Sequence, residues 1–312
     1  MKKVTMKKIC VGVGVAVLAV LLVILLTPDR PFVEMHIKKG DAYLAAKEYE
    51  KAMDEYSRAI KHDSTNAEAY VKLGDAYYIK SRWSKAIAAY NKAIKIDPNC
   101  ARAYFKRGGA YHNRDYAYDK TMADYDKAIE LDPNNTEMYI QRGFMHMCKK
   151  AYDKAIAEYS KAIELDPKNP ETYLKRAHAY SDNHEYDRAI EDYGEFLVYA
   201  PEEWKPSRAH AYSWRGGLYA KLGDDVSAIE NFTKAIELMP KRFHFSYYDR
   251  GDCYFRQGEY EKAVDDYTKA IEIDGRYPIY YRSRAEAHEA LGHDEEAAAD
   301  WEKAEELESS YR

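Results

Sequence analysis

Ten histidines and four cysteines are the residues of this 312-residue sequence best equipped for chemistry. A zinc-binding helix needs two histidines four apart, which sets both rings on one face. The nearest approach, His288-Glu289-Ala290-Leu291-Gly292-His293, spaces them five apart. No serine or cysteine is ordered beside a base in a nucleophile pattern. Gly12-Val13-Gly14 falls in an apolar run, and Gly108-Gly109 and Gly216-Gly217 fall at recurring positions, so none forms a phosphate-cradling loop. Cys100, Cys148 and Cys253 stand at different recurring positions far apart along the chain, and disulfides among them are not expected. The sequence therefore assigns no catalytic residue, no metal ligand and no cofactor, and reads as a non-enzyme.

The elements that carry these residues come in two kinds. Residues 9–26, ICVGVGVAVLAVLLVILL, hold no charge, and as a helix they span about 27 Å, close to the hydrocarbon core of a bilayer. Lys2, Lys3, Lys7 and Lys8 precede the run, and Pro28 and Pro31 follow it. This pattern predicts a basic cytoplasmic tail (1–8), a transmembrane signal anchor (9–26) and a linker (27–32), with the rest of the chain sent across the membrane. That places it in the periplasm if the source is bacterial. A cleaved secretory signal is the alternative, although the exit Leu26-Thr27-Pro28 offers no small-x-small site. Over the whole chain, 48 basic residues nearly balance 53 acidic ones, which excludes the strongly basic surface of a nucleic-acid binder.

Tyrosine is in excess, 31 of 312 residues, as expected if a few positions are reused many times. The phrase Tyr70-Val71-Lys72-Leu73-Gly74-Asp75-Ala76-Tyr77 returns as Tyr104 to Tyr111 and as Tyr247 to Tyr254, followed by Ala-x-x-x-Tyr-x-x-Ala, with Thr121 in place of the first Ala in the second copy. Positions 4, 8 and 11, then 20, 24 and 27, recur at three- and four-residue spacing, so each set lies on one helical face. The first set marks a helix A and the second a helix B. Asp97-Pro98, Asp132-Pro133 and Asp166-Pro167 mark the turn out of B. The 34-residue unit resembles the tetratricopeptide repeat (TPR), with an aromatic at position 4, a small residue at 8, Tyr at 11, Ala at 20, an aromatic at 24, Ala at 27 and Pro at 32. Eight copies are expected, at 33–66, 67–100, 101–135, 136–169, 170–203, 209–242, 244–277 and 278–311. The resemblance implies an all-α, right-handed solenoid over 33–311, preceded by the transmembrane helix.

Comparison of the copies gives a further expectation. Position 7 reads Lys39, Leu73, Arg107, Arg142, Arg176, Arg215, Arg250, Arg284, and position 23 reads Glu55, Ala89, Asp124, Glu158, Asp192, Asn231, Asp266, Asp300. The one apolar residue faces the one alanine, so the two positions are inferred to meet between helices A and B. Two independently solvated charges are the alternative.

In the family, helix A lines a concave groove that takes a protein or peptide. Carried over to this sequence, the groove positions supply Lys38, Lys72, Arg102, Lys106 and Lys175, then the aromatics Phe105, Phe144, Trp214, Tyr248 and Phe255. Exposed aromatics beside cations suit a peptide hot spot; a solvated face with aromatics packed inside the repeats is the other reading. The family's clamp for chaperone carboxylates is absent, since its positions here hold Ile37, Asp41, Lys72, Arg102 and Lys106, with neither asparagine. The functional expectation is a membrane-anchored scaffold or adaptor that binds a protein partner. A self-associating structural repeat protein of the cell envelope is the alternative. The insertion Trp204 to Arg208 breaks the phase after repeat five and is expected to lengthen a loop or helix end.

Overall fold

The computed structural model describes residues 30–309. The expected tail and signal anchor lie outside the described residues, and no described helix is long and apolar enough to cross a membrane. Sixteen helices follow one another, with no strand among the described residues. They are α1 (Arg30–Ala45), α2 (Tyr49–His62), α3 (Ala67–Ile79), α4 (Trp83–Ile96), α5 (Ala101–Asp115) and α6 (Tyr118–Leu131). Then come α7 (Thr136–Cys148), α8 (Tyr152–Leu165), α9 (Pro170–Asp182), α10 (Tyr186–Tyr199) and α11 (Lys205–Lys221). The last are α12 (Asp225–Leu238), α13 (His244–Arg256), α14 (Tyr260–Asp274), α15 (Pro278–Leu291) and α16 (Asp294–Ser309). Odd-numbered helices are the A helices and even-numbered ones the B helices. The first begins at Arg30, so the described end of the expected linker is already helical.

The chain divides into two compact units, one ending at Met138 and one beginning at Tyr139, with the division inside α7. Within each unit a helix packs chiefly on its chain neighbours, and successive A helices touch more lightly, as α3 does α5 and α11 does α13. This is the helical-repeat arrangement in which each hairpin buries its apolar face against the next.

The close packing of A on B follows from two small positions. Position 8 is glycine in six repeats because the position-24 ring lies against it. A Cβ on Gly108 would sit 2.8 Å from Cε1 of Tyr125, and one on Gly251 2.8 Å from Cε1 of Tyr267. Those rings are the centre of the core: Tyr56, Tyr90, Tyr159, Phe232 and Tyr267 are at most 1% exposed. Each such burial contributes about 2–3 kcal/mol. The position-20 residues, Ala52, Ala86, Thr121, Ala155, Ala189, Ala228, Ala263 and Ala297, are all buried on the facing helix. Thr121 is the one polar member, and its hydroxyl donates to the Gly108 carbonyl at 3.2 Å.

Each A–B hairpin turns through one residue with positive φ: Lys47, Ser81, Tyr116, Lys150, His184, Gly223, Gly258 and Gly292. In the seven hairpins of standard length the next N–H returns to the A-helix carbonyl five residues back, as from Glu48 to Tyr43 (2.8 Å) or from Ala151 to His146 (2.9 Å). This is the closing bond of a Schellman cap. The extra residue of repeat three is absorbed at this turn, and it leaves Tyr116 78% exposed. The insertion before repeat six instead lengthens α11 to 17 residues. Its Arg208 donates to the carbonyls of Leu197 (2.7 Å) and Ala200 (2.9 Å), capping the end of α10.

Candidate functional site

A recurrent polar lock orients the A helices. Arg107 donates to both carboxylate oxygens of Asp124 at 2.8 and 2.6 Å, Arg176 to Asp192 at 2.7 and 2.8 Å, Arg250 to Asp266 and Arg284 to Asp300 at 2.7 Å throughout. Arg142 meets Glu158 at 2.9 Å, and Arg215 meets the Asn231 carbonyl at 2.8 Å. The expected pairing of positions 7 and 23 thus holds in six repeats. In repeat two these positions hold Leu73, half-buried, and Ala89, buried, with no charge at either. Repeat one departs, because His36 takes Glu55 at 2.6 Å and Arg58 shares it, leaving Lys39 exposed. The same guanidinium reaches the preceding B helix: Arg176 to Ser160 (3.0 Å), Arg250 to Thr233 (2.8 Å), Arg284 to Thr268 (2.9 Å).

With A helices fixed this way, positions 2, 5, 6, 9 and 12 form one face in each unit. In the amino-terminal unit two of the expected cations are already engaged. Lys72 Nζ lies 2.9 Å from Asp41, which also accepts from Tyr56 at 2.7 Å. Arg102 pairs with Asp75, which accepts from Tyr90 at 2.9 Å. Lys38 is exposed. Repeat three carries Gly109 where the earlier repeats carry those aspartates, and Lys106 instead lies 5.4 Å over the Phe105 ring. Phe105 itself is half-buried, 5.4 Å from Tyr125.

In the carboxyl-terminal unit the face turns aromatic. Phe144 and Trp214 are each 42% exposed. Trp214 stands perpendicular to His178 at 4.5 Å and tilted on His210 at 5.4 Å. It borders a cavity of about 520 Å³ that Tyr193, His210, Phe243, Phe245 and Asp249 also line. Lys175 is half-buried one turn before His178, whose imidazole burial holds below its ordinary pKa. Tyr248 and Phe255 pack on the core around Ala263, Tyr267 and Ala287. Burial pushes the Tyr248 hydroxyl up to about 12. These two aromatics serve the scaffold, while Trp214 and Phe144 present surface.

Sequence reasoning missed Phe245, 51% exposed, and Asp249. Position 6, read down all eight copies, gives Lys38, Lys72, Lys106, Gln141, Lys175, Trp214, Asp249 and Ser283. An acid in a column of cations was the available signal. Among the described residues no group of three or more histidine, cysteine, aspartate or glutamate side chains is placed to hold a metal ion. The described cysteines are free thiols.

Comparison with known proteins agrees with this architecture. A TPR repeat family profile matches residues 40–80, 74–114 and 149–184, and tetratricopeptide repeat profiles match 174–242 and 244–277. The MamA protein crystal structure is 32% identical with a TM-score of 0.52, over 56% of this chain and 92% of that one. YrrB, a TPR protein with an unusual peptide-binding site, is 21% identical (TM-score 0.52) over 60% and 93% of the two chains. The C-terminal part of a TPR repeat-containing protein from Cytophaga hutchinsonii is 16% identical with a TM-score of 0.67, over 79% and 98%. No curated protein matches in sequence. With repeat profiles along much of residues 40–277 and a solved relative 32% identical over 92% of its length, the chain belongs to the tetratricopeptide repeat family.

Proposed function

We propose that the chain is a membrane-anchored scaffold that binds a protein partner through a peptide laid on the A-helix face. The observation that carries this reading is the hollow beside Trp214. A large aromatic stays 42% exposed there at the rim of a cavity of about 520 Å³, where a folded chain would otherwise bury it. The family's fold, typically a non-catalytic scaffold, supports it, and YrrB carries a peptide-binding site on the same fold. The anchor rests on the uncharged run 9–26 behind four lysines, which favours a cytoplasmic amino terminus and repeats outside the cytoplasm.

The test is capture from the native membrane by full-length protein and by Trp214→Ala. The variant should lose specific partners roughly tenfold, the usual scale for an interface tryptophan, with an unchanged melting curve. An unchanged set of partners overturns the groove reading. A carboxyl-terminal reporter active only in the cytoplasm overturns the orientation.

A further inference from the structure

The other half-buried groove aspartates are matched by partners. Asp41 has Lys72 and Tyr56, Asp75 has Arg102 and Tyr90, and Asp252 accepts from Tyr267 at 2.7 Å. In the amino-terminal unit the matching cation comes from the following repeat. Asp249 breaks the rule: this half-buried carboxylate lines the Trp214 cavity and makes no hydrogen bond or ion pair among the described residues. The following repeat supplies it no cation: its positions 2 and 6 are Ile279 and Ser283, and Arg282 at position 5 is held by Glu308 at 2.6 Å. Arg256, on the same helix, is bound to Asp225 at 2.5 Å. Burial, with Asp252 beside it, pushes the Asp249 carboxyl up to about 7.

We propose that the cavity between α11 and α13 is a cation pocket, which takes the side chain of a lysine or arginine carried by the partner peptide. The charged head meets Asp249, and the alkyl stem lies along Trp214, Tyr193 and Phe245. Aromatic faces around a carboxylate suit a cation with an apolar stem twice over, through ring quadrupole and through charge. The hydroxyls of Ser181 and Ser213 add polar lining. His178 Nε2, buried behind the Trp214 ring, has no partner in the closed packing. An anion is disfavoured. Arg242, the arginine of the lining, is exposed, whereas an anion beside the half-buried Asp249 would face its carboxylate. The visiting cation thus plays for Asp249 the part that Lys72 and Arg102 play for Asp41 and Asp75.

This inference rests on the scaffold reading and is tested so that the two fail separately. Full-length protein in detergent is passed over four pools of short capped peptides, randomised except for a central lysine, arginine, norleucine or glutamate. The lysine and arginine pools should be retained about tenfold more than the other two, the scale of one desolvated charge-assisted contact. Asp249→Asn, which keeps shape and orphans no neighbour, should bring them to the norleucine level with an unchanged circular-dichroism spectrum. Arg242→Ala, which removes a positive charge from the lining, should keep or raise the preference for the lysine and arginine pools. Equal retention of norleucine or glutamate overturns the cation pocket while the groove reading stands, and no retention of any pool overturns both.

Discussion

Beyond the position-24 core rings, the tyrosine excess resolves at the residue scale into partners for arginine at positions 4 and 11. Arg250 lies 5.7 Å from the Tyr247 ring and 5.9 Å from Tyr254, and Arg176 lies 5.8 and 5.7 Å from Tyr173 and Tyr180. Positions 4 and 11 thus sandwich the guanidinium that positions 23 and 25 bond in its plane, an arrangement arginine meets and lysine does not. Such a lock is costly to break and cheap to replace. Asp192→Ala alone strands Arg176, whose side chain is 19% exposed, and should cost about 3 kcal/mol. Adding Arg176→Leu gives the two positions the residues that repeat two carries, Leu73 and Ala89, and the double variant should unfold in urea within about 1 kcal/mol of the parent. A double variant as unstable as the single one would show that repeat two is no precedent. The lock was legible in the sequence because both members change together between copies. Asp249 was legible only as an acid at a position that is lysine in four copies; its lack of a partner was not, because a missing partner leaves no residue to read.

At the scale of the element, the hairpin is decided by one backbone conformation. A non-glycine residue in the left-handed region pays roughly 1 kcal/mol or more, and glycine does not. Repeats six to eight place Gly223, Gly258 and Gly292 there, whereas repeats one and four place Lys47 and Lys150, at φ of 61° and 56°. Both lysines are exposed. Lys150→Gly should therefore raise the stability of the carboxyl-terminal unit by about 0.5–1 kcal/mol, the relief of strain being partly offset by a freer unfolded chain. A shift of the urea midpoint in the other direction would mean that the lysine side chain stabilises the turn. Helix positions were readable from the 3.6-residue period, and the exits from B from Asp-Pro, where proline forces Asp97 into extended backbone at ψ 96°. The turn from A to B was readable only in the three glycine copies. Lysine, serine, tyrosine and histidine do not announce a positive φ.

At the scale of the molecule, a helical repeat has no single centre. The buried residues form separate small groups, such as Ala228, Phe232 and Cys253 in repeats six and seven, and Ala263, Tyr267 and Ala287 in repeats seven and eight. Eight repeats could be counted from sequence because every copy carries its own share of core. The division inside α7 could not, because the phase runs through Met138 and Tyr139 unbroken. Local cores imply local failure. Phe232 is fully buried against Gly216, and Phe232→Ala should remove about 3–5 kcal/mol. Because α12 packs on α11 and α13, the loss should appear as faster amide exchange in those three helices. Repeat eight has its own buried set, Tyr280, Ala285, Ala287 and Ala304, and should keep its protection. Hydrogen exchange read by mass spectrometry separates the cases. Acceleration confined to α11–α13 marks nearest-neighbour stabilisation, and uniform acceleration through α16 would mean that the carboxyl-terminal unit opens as a whole. The first outcome has a functional consequence, since the hollow beside Trp214 is walled by α11 and α13 and would lose its shape before the unit lost its fold.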